Sequence, residues 1–386
     1  MSLYSKRGVS AQKEEVHAAV KNLSQGLFPN AFCKLYPDYL GKDDRFVNVM
    51  HADGAGTKSI LAYLYWKETG DLSVWKGIAT DAIVMNLDDL LCVGICDDIV
   101  FNSTIDRNKH LIPGEVLEQV ITGSQELFDR LKAFGVNIHY LGGETADVGD
   151  VVRTIAVNGT MASRWKKDRI ISNDKIGAGD VIVGFASYGQ ATYETAYNSG
   201  IGSNGLTSAR HDALDKYYAL HFNESFDPAL PEEVVYIGKN RLTDIVSGSY
   251  TIGELLLSPT RTYAPVMKQL LENHFEKIHG LIHCSGGGQT KCLKYLPGDF
   301  RVVKDNLFEP PAIFNIIQQN SGSSLKEMYE VFNMGCRLEI YCTEANAQVM
   351  IDAAKAFGIE ARVIGRVEQN VKKALEIRLK ETVIVY

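Results

Sequence analysis

The sequence has few cysteines, and they follow no pattern typical of a disulfide or zinc framework. The 386 residues include 7 cysteines, and no Cys-x-x-Cys pair occurs among them. Disulfide scaffolds are richer in cysteine and usually carry an even number. Structural zinc sites commonly use closely spaced cysteine pairs. The cysteine content therefore favours a reducing compartment, and we expect a cytoplasmic protein whose thiols are buried or incidental.

Long apolar runs and an excess of positive charge are also missing. No stretch approaches the roughly 18 apolar residues that would span a bilayer, and the charged N-terminal segment lacks the apolar core of a secretory signal. Lys+Arg 40 against Asp+Glu 47 gives a net charge of -7, with no Lys/Arg block. Such a surface disfavours polyanions. We therefore expect neither a membrane nor a nucleic-acid partner, whereas a small anion could still find a local positive pocket.

What is present is an ordinary globular composition, with 45% hydrophobic and 23% charged residues. The length predicts two or three domains. In the first half, Val16, Val20, Leu23 and Leu27 recur at helical spacing behind Ser10 as an N-cap. Further helices are predicted at about 58–67, 78–93 and 114–134, and strands at 46–51, 98–105, 136–141 and 151–161.

The second half begins at a turn-rich stretch near Asp174. It alternates strands predicted at 181–187, 278–283, 336–342, 360–365 and 374–380 with helices at 265–275, 311–319, 324–332 and 345–357. Residues 211–250 are polar, contain aromatics and show no period, which predicts a surface excursion. Mixed strands and helices in two halves predict an α/β (α+β) protein with domains at 1–173 and 174–386.

Three glycine-rich stretches could bind phosphate. The stretch 54–59 (GAGTKS) lacks the first glycine of a P-loop. The stretch 200–205 (GIGSNG) matches G-x-G-x-x-G but lies outside an N-terminal βαβ unit, so we treat the match as fortuitous. Ser285-Gly286-Gly287-Gly288 follows an apolar strand, where successive amide groups could converge on an anion. A simple turn is the more common explanation for a glycine run after a strand.

Carboxylates are the other notable group. Asp81, Asp88 and Asp89 lie on one predicted helix within an apolar run, and Asp81 and Asp88 are nearly aligned along it. Asp53 and Glu144 each follow a predicted strand beside glycines. Magnesium bridging to a nucleotide phosphate would explain such carboxylates. A solvated helix face explains the aspartates as well. His51 and His283, which end strands, are interpreted by default as core histidines.

Taken together, these stretches resemble one family. The motifs are Tyr4-Ser5-Lys6-Arg7-Gly8-Val9, Asp53-Gly54-Ala55-Gly56-Thr57-Lys58, the segment from Asp81 to Asp89, Gly142-Gly143-Glu144-Thr145-Ala146, Ser203-Asn204-Gly205, Leu257-Ser258-Pro259-Thr260-Arg261, His283-Cys284-Ser285-Gly286-Gly287-Gly288, and Glu327-Met328-Tyr329 with Phe332-Asn333-Met334-Gly335. In this order they resemble the motifs of the phosphoribosylformylglycinamidine cyclo-ligase (AIR synthetase) family, from Tyr4 to Gly365. Several of them recur across a wider superfamily of ATP-binding synthetases, whereas the last pair is typical of the cyclo-ligase.

The resemblance implies an ATP- and Mg²⁺-dependent ligase of purine biosynthesis that closes the ring of formylglycinamidine ribonucleotide. It also implies a two-domain fold in which the N-terminal sheets of a homodimer form a shared barrel. By carry-over, Asp53, Asp89 and Glu144 are the catalytic candidates, and Asp53, Asp81 and Asp89 are the metal candidates. The nucleotide would meet Gly54, Gly56, Thr57, Lys58, Asp81, Asp88, Gly143 and Thr145. The substrate would meet Asn204, His283, Ser285, Gly286, Gly287, Gly288 and Asn333.

Some positions depart from the family pattern. Asp88 stands where the family has Asn, Gly94-Ile95-Cys96-Asp97 replaces Gly-Ala-x-Pro, and Gly202 replaces a histidine. A glycine-rich segment expected before the first strand is replaced by residues 27–45. These departures keep two alternatives open: another synthetase or kinase of the superfamily, such as a selenophosphate synthetase, and a non-catalytic nucleotide-binding scaffold.

Overall fold

The computed structural model describes residues 3–10, 15, 19–20 and 22–386. The first predicted helix lies largely outside the described residues, Val16 among them. Leu23 and Leu27, which the pattern placed on that helix, lie in irregular, exposed backbone instead. Gly26 adopts a φ of 81 between them, and the Leu27 N–H donates to the Leu35 carbonyl. The helical spacing of Leu23 and Leu27 is therefore fortuitous.

The first half forms a five-stranded sheet with helices on one face. Its elements are α1 (Leu3–Lys6), β1 (Leu35–Pro37), β2 (Phe46–Gly54), α2 (Lys58–Thr69), α3 (Val74–Leu91), β3 (Ile99–Arg107), α4 (Gly114–Lys132), β4 (Ile138–Asp147) and β5 (Ile155–Lys166). The strand order is β1-β2-β5-β3-β4, and only β3 and β4 run parallel. Helices α3 and α4 pack together, and α3 covers β2 and β5.

The second half forms a seven-stranded sheet in the order β14-β13-β10-β12-β6-β11-β9. Its strands are β6 (Val181–Ala186), β9 (Gly280–His283), β10 (Phe300–Lys304), β11 (Cys336–Cys342), β12 (Ala361–Gln369), β13 (Ala374–Arg378) and β14 (Val383–Val385), and a separate hairpin joins β7 (Ile245–Ser247) to β8 (Tyr250–Thr251). Its helices are α5 (Leu206–Ala213), α6 (Tyr217–His221), α7 (Ile252–Leu257), α8 (Ala264–Asn273), α9 (Cys292–Tyr295), α10 (Ala312–Ser321), α11 (Leu325–Val331) and α12 (Glu344–Ala356). Strand β11 is buried along its whole length.

The two faces of the first sheet differ in burial. Along β2, Val47 and Val49 are buried against the helices, whereas Met50 on the other face is 77% exposed. The same alternation runs along β3 and β5. Alternating burial is the mark of a sheet with one covered face. The uncovered side, which we call the open face, carries Met50 and Leu141 as exposed apolar side chains.

Residues 211–250 are not the surface excursion that their polarity predicts. Tyr218 and Tyr236 are fully buried in this segment. Tyr218 donates its hydroxyl to Glu68 at 2.5 Å, and Glu224 accepts a bond from Tyr63 at 2.6 Å. Because Tyr63 and Glu68 lie on α2, the segment packs against the helix that follows the Asp53-Gly54 strand end. Its polar residues are satisfied by partners across the domain boundary, which a local pattern does not reveal.

Within the part of the chain that the structure describes, no helix is both long and apolar enough to cross a membrane.

Candidate active site

Helix α3 places its carboxylates at the contact between the two domains. Most of its residues are buried, including Asp81, Asp88 and Asp89. Asp81 and Asp88 are two turns apart, and each accepts a bond from the segment that joins α7 to α8 in the second domain. The alternative of a solvated helix face is therefore wrong, because each carboxylate has a buried partner.

Asp81 is bonded to Lys58. The Lys58 ammonium lies 3.0 Å from Asp81 Oδ1 and also donates to the carbonyls of Gly202 and Ser258. Thr260 donates to the same carboxylate oxygen from its N–H at 2.8 Å and its hydroxyl at 2.6 Å. Burial lowers the pKa of Lys58, although Asp81 opposes that shift. Both side chains are fully buried, so this pair joins the domains rather than facing an open cleft.

Asp88 is bonded to Arg337 of β11. The guanidinium donates to Asp88 Oδ2 at 3.0 Å, and the Thr262 hydroxyl donates to Oδ1 at 2.6 Å. Burial raises the pKa of Asp88, while Arg337 counteracts the rise. The aspartate that departs from the family pattern therefore has a compensating cation. Sequence reasoning missed Arg337, which lies 249 residues away in an apolar strand.

Asp89 lies between two histidines. Its Oδ1 is 2.6 Å from His283 Nδ1, and its Oδ2 is 3.2 Å from His51 Nε2. Burial opposes ionisation of Asp89, but the bonds from both histidines hold its pKa below the ordinary value. The interpretation of these histidines as ordinary core residues is incomplete, because both contact a catalytic candidate.

Hydrogen bonds fix the protonation of His51. The Asn86 amide nitrogen donates to the carbonyls of Asp53, Ala82 and Gly159, so its oxygen must be the atom that faces His51 Nδ1 at 3.1 Å. His51 Nδ1 is then a donor, and Nε2 donates to Asp89. Burial disfavours the charged ring, yet the hydrogen bond and charge of Asp89 raise the pKa of His51 to about 9. His51 is therefore an imidazolium at neutral pH.

The same reasoning assigns the other ring. Arg337 can only donate, and it lies 3.2 Å from His283 Nε2. That nitrogen must accept, so the proton of His283 is on Nδ1 and points to Asp89. Polar contacts therefore connect Asp88, Arg337, His283, Asp89 and His51 in that order. We call these five residues the buried charge network.

The Asp53 loop and Glu144 occupy different faces of the first sheet. Strand β2 continues through Gly54, and β4 continues through Glu144 to Asp147, so both strands are longer than predicted. In the register of the sheet, Glu144 is opposite Thr104, Thr104 is opposite Asn158, and Asn158 is opposite Gly54. Glu144 and Gly54 therefore share one face of the sheet. Asp53, one residue earlier, points to the helix side, whereas Glu144 lies on the open face. A single chain does not bring these two exposed carboxylates together.

The remaining nucleotide candidates surround the same two strand ends. Gly56 has a φ of 58, and the Thr57 hydroxyl lies 2.9 Å from that of Thr207 in the second domain. Gly143 and Thr145 are exposed on the edge strand β4. These positions are therefore accessible to a ligand, in contrast to Lys58, Asp81 and Asp88.

The triple-glycine loop lies at the end of β9. Gly287 and Gly288 have φ values of 97 and 49, and a Cβ on Gly288 would meet the Phe332 and Tyr329 carbonyls at 2.5 and 2.6 Å. Among the described residues, no acceptor is found for the N–H groups of Gly286 and Gly287. Two such groups in a left-handed turn can bind an anion. The loop therefore has the backbone of an anion site.

Side chains around that loop differ in what they can do. Asn204 lies near Gly286, with its nitrogen 3.6 Å from where a Cβ would stand. Lys291 approaches Gly287 and has no carboxylate within 4 Å in the described part of the chain. Asn333, by contrast, is 5% exposed and bonds Ser187, Gly335 and the Gly200 carbonyl. Ser285 is also buried. Sequence reasoning missed Lys291, which follows the motif by three residues.

Among the described residues, no group of three or more His, Cys, Asp or Glu side chains is arranged to hold a metal. Asp53, Asp81 and Asp89 therefore do not form a ready-made metal cage. Magnesium usually keeps several waters and is held by one or two carboxylates together with phosphate oxygens. The exposed Asp53 fits that mode, whereas Asp81 and Asp89 are bonded to protein cations.

The principal cavities do not enclose these residues. A cavity of about 660 Å³ is bordered by Phe28, Phe46 and Lys166, at the far end of β2 from Asp53. Another cavity, of about 410 Å³, lies between the domains; it is bordered by Thr260 and Thr262, which are bonded to Asp81 and Asp88, but not by those carboxylates themselves. The exposed candidates are therefore open to solvent in the single chain.

Comparison with known proteins agrees with this architecture. Residues 41–164 match the AIR synthase related protein, N-terminal domain, and residues 177–378 match its C-terminal domain. Phosphoribosylformylglycinamidine cyclo-ligase from Methanocaldococcus jannaschii is 32% identical over 324 residues, covering 84% of this chain and 79% of the relative.

Solved structures share the fold at low identity. AaThiL complexed with AMPPCP and TMP matches with a TM-score of 0.54 and 13% identity, covering 94% of this chain and 92% of that one. PurL from T. maritima complexed with FGAR matches with a TM-score of 0.52 and 12% identity. This match covers 99% of the present chain, which spans about half, 53%, of the PurL chain. These matches confirm the expected AIR synthetase-like α/β fold.

With both domain matches covering most of its length, and a cyclo-ligase relative above 30% identity, the chain belongs to the AIR synthase related protein family.

Proposed function

We propose that this chain catalyses the ATP-dependent closure of formylglycinamidine ribonucleotide to aminoimidazole ribonucleotide, a ligase reaction of purine biosynthesis. The observation that carries the proposal is the 32% identity to a named cyclo-ligase over 84% of the chain. The buried charge network and the anion-binding loop, both at the contact between the domains, are the structural support.

The chemistry has two steps. The terminal phosphoryl group of ATP passes to the formyl oxygen, which turns that oxygen into a leaving group. The amidine nitrogen then attacks the formyl carbon, the C–O bond breaks with release of phosphate, and the nitrogen loses its proton. Protein groups must therefore neutralise polyphosphate charge, hold the formyl oxygen in line with the terminal phosphorus of ATP, and then hold the amidine nitrogen close to the formyl carbon.

We place the nucleotide phosphates at the exposed strand ends of the first sheet. Asp53 supplies a carboxylate for magnesium, and Gly54, Gly56 and Thr57 supply backbone and hydroxyl donors. His51, an imidazolium beside Asp53, adds a fixed positive charge. Glu144 lies on the open face, with the exposed Gly143 and Thr145 on either side of it along the edge strand β4, which supports contact of this segment with a nucleotide that a second copy would help to enclose.

We place the phosphate of the substrate at the triple-glycine loop. The N–H groups of Gly286 and Gly287 point to it, Asn204 donates from the side, and Lys291 neutralises its charge. His283, whose strand leads into this loop, connects the substrate side to Asp89 and thus to the nucleotide side. Asp89 acts in this proposal by orienting both histidines.

We also propose that the protein is a homodimer joined through the open face. Met50 and Leu141 are 77% and 65% exposed there. A sheet with one uncovered face and large apolar side chains is typical of an interface. A second copy would bury these residues together with the exposed candidates on β4.

The direct test measures ADP release with ATP and magnesium, with and without formylglycinamidine ribonucleotide, and detects aminoimidazole ribonucleotide in parallel. The expected result is ADP release that depends on substrate and equals product. Asp89→Asn should slow it about a hundredfold, whereas Asp299→Asn, at an exposed carboxylate in the second domain, should leave it unchanged. ATP binding without turnover by the unaltered chain would contradict the proposal and favour a scaffold.

A further inference from the structure

A buried ion pair lies directly beneath the triple-glycine loop. Lys304 of β10 and Glu339 of β11 are both fully buried and form a salt bridge. Burial disfavours the charged lysine, but the Glu339 carboxylate raises the pKa of Lys304 above its ordinary value. The lysine is therefore charged. Neither residue has a place in the chemistry described so far, and neither reaches the solvent side of the loop.

The pair is bonded to both ends of the loop. The Lys304 ammonium donates to the carbonyl oxygen and to the side-chain oxygen of Gln289, each at 2.9 Å. The Cys284 thiol donates to Glu339 Oε1 at 3.4 Å. Cys284 and Gln289 are the residues that immediately precede and follow Ser285-Gly286-Gly287-Gly288. One ion pair thus holds the chain where it enters the loop and where it leaves.

Further bonds make this arrangement rigid. The Gln289 amide nitrogen donates to the carbonyls of Asn333 and Cys336 at 2.7 and 2.8 Å. The Tyr341 hydroxyl donates to Glu339 Oε2 at 2.9 Å. Every oxygen of the Glu339 carboxylate therefore has a partner, and both polar atoms of the Gln289 side chain are used.

Stability alone does not explain such a pair. Replacing a buried ion pair by apolar side chains of similar volume is often neutral or stabilising, because the desolvation cost disappears. A loop with three successive glycines, on the other hand, has unusual backbone freedom, and a binding site built from its amide groups loses affinity if they are not held in place.

We propose that Lys304 and Glu339 are positioning residues that fix both ends of the triple-glycine loop, so that the Gly286 and Gly287 amide groups are preorganised for the phosphate of the substrate. The identity of the ligand in this inference rests on the proposed function. The effect of the ion pair on the loop is independent of that function.

The test replaces both charges together, with Lys304→Met and Glu339→Leu in one variant, because a single change would leave an unpaired buried charge. The matched control is Arg7→Met with Asp212→Leu, another buried ion pair, at 0% and 4% side-chain exposure, that does not touch the loop. Cys284→Ala removes the side-chain bond to Glu339 without altering any charge, while the bond from the Cys284 N–H to the Arg337 carbonyl remains, and it serves as the second variant.

Two readouts are measured on the full chain. Hydrogen exchange of the Ser285 and Gly288 amides, which donate to the His283 and Ser285 carbonyls, should be about tenfold faster in the Lys304/Glu339 variant and unchanged in the control, because only the Lys304/Glu339 variant loses preorganisation of the loop. The KM for formylglycinamidine ribonucleotide should rise about tenfold while the KM for ATP stays the same. Cys284→Ala should change both readouts in the same direction and by less.

Unchanged loop exchange in the Lys304/Glu339 variant or in Cys284→Ala would overturn the inference, as would equal changes in both KM values. If the unaltered chain shows no turnover with this substrate, the proposed function fails, and the exchange measurement still decides whether the ion pair holds the loop.

Discussion

The imidazolium assigned to His51 predicts a specific loss of stability at alkaline pH. His51 titrates with an ordinary pKa of about 6.5 when the chain is unfolded. In the folded chain its pKa is about 9, because it is bonded to Asp89 and Asn86. The folded state therefore holds the proton more tightly, and the contribution of His51 is fully present below about pH 6.5. It is lost as the pH rises through about 9.

The magnitude follows from the difference between the two pKa values. A gap of about 2.5 units corresponds to about 3 kcal/mol of unfolding free energy at low pH. The His51 side chain is 21% exposed, so solvent screening reduces this figure. We expect about 2 kcal/mol to be lost between pH 7 and pH 10.

Urea unfolding followed by tryptophan fluorescence, repeated from pH 6 to pH 10, measures this loss. The matched variant is His51→Gln, which keeps a donor for Asp89 but does not titrate. Subtracting the unfolding free energy of the variant from that of the unaltered chain at each pH removes the contribution of every other ionising group. A difference that is constant across this pH range would refute the assignment of the imidazolium and the hydrogen-bond reasoning behind it.

Four further predictions concern the other sites. Asp88→Asn should lower the unfolding free energy by about 3–5 kcal/mol, because it leaves the buried Arg337 charge without a partner. Adding Arg337→Met should restore most of this loss, and a double variant as unstable as the single one would count against the pairing. Asp89→Asn should reduce kcat by about a hundredfold with a smaller effect on the KM for ATP, since both histidines lose their orienting anion; a purely structural role would instead lower only the unfolding midpoint. Lys291→Met should raise the KM for the phosphorylated substrate about tenfold and leave that for ATP unchanged, and parallel changes in the two would show that Lys291 is not at the substrate phosphate. Met50→Asp should convert the proposed dimer to a species near the chain mass of 42.7 kDa in light scattering, whereas an unchanged dimer mass would exclude the open face as the interface.

Much of the secondary structure could be predicted from the sequence, because the apolar periods are strong there. The helix predicted at 114–134 is observed at Gly114–Lys132, and the strand predicted at 336–342 is observed at Cys336–Cys342. Strand β10 was not predicted, since its five residues include two cations, one of which is the buried Lys304. Only the opposing Glu339 makes that position compatible with a core strand.

The site could be predicted in part. Helical spacing placed Asp81 and Asp88 on one side of α3, and in the structure both accept bonds from the second domain, which the spacing did not predict. Their cationic partners could not be found in the same way, because Lys58 and Arg337 are brought to the carboxylates by the tertiary fold. Spacing also gives no information on which face of a strand a residue occupies when the strand end is misplaced, so the placement of Asp53 and Glu144 on different faces of the first sheet could not be predicted.

The buried charge network contains two ion pairs, Asp88 with Arg337 and Asp89 with His51, and His283 joins them by accepting from Arg337 and donating to Asp89. A change at either member of an ion pair leaves its partner without a counter-charge, so acceptable substitutions are expected to occur in compensating pairs. Where a related chain has asparagine at position 88, as the resemblance implies, a neutral residue is expected at position 337. A chain that carries either Asp88 or Arg337 without the other would keep an unpaired buried charge at the contact between the domains, and we expect it to fold poorly.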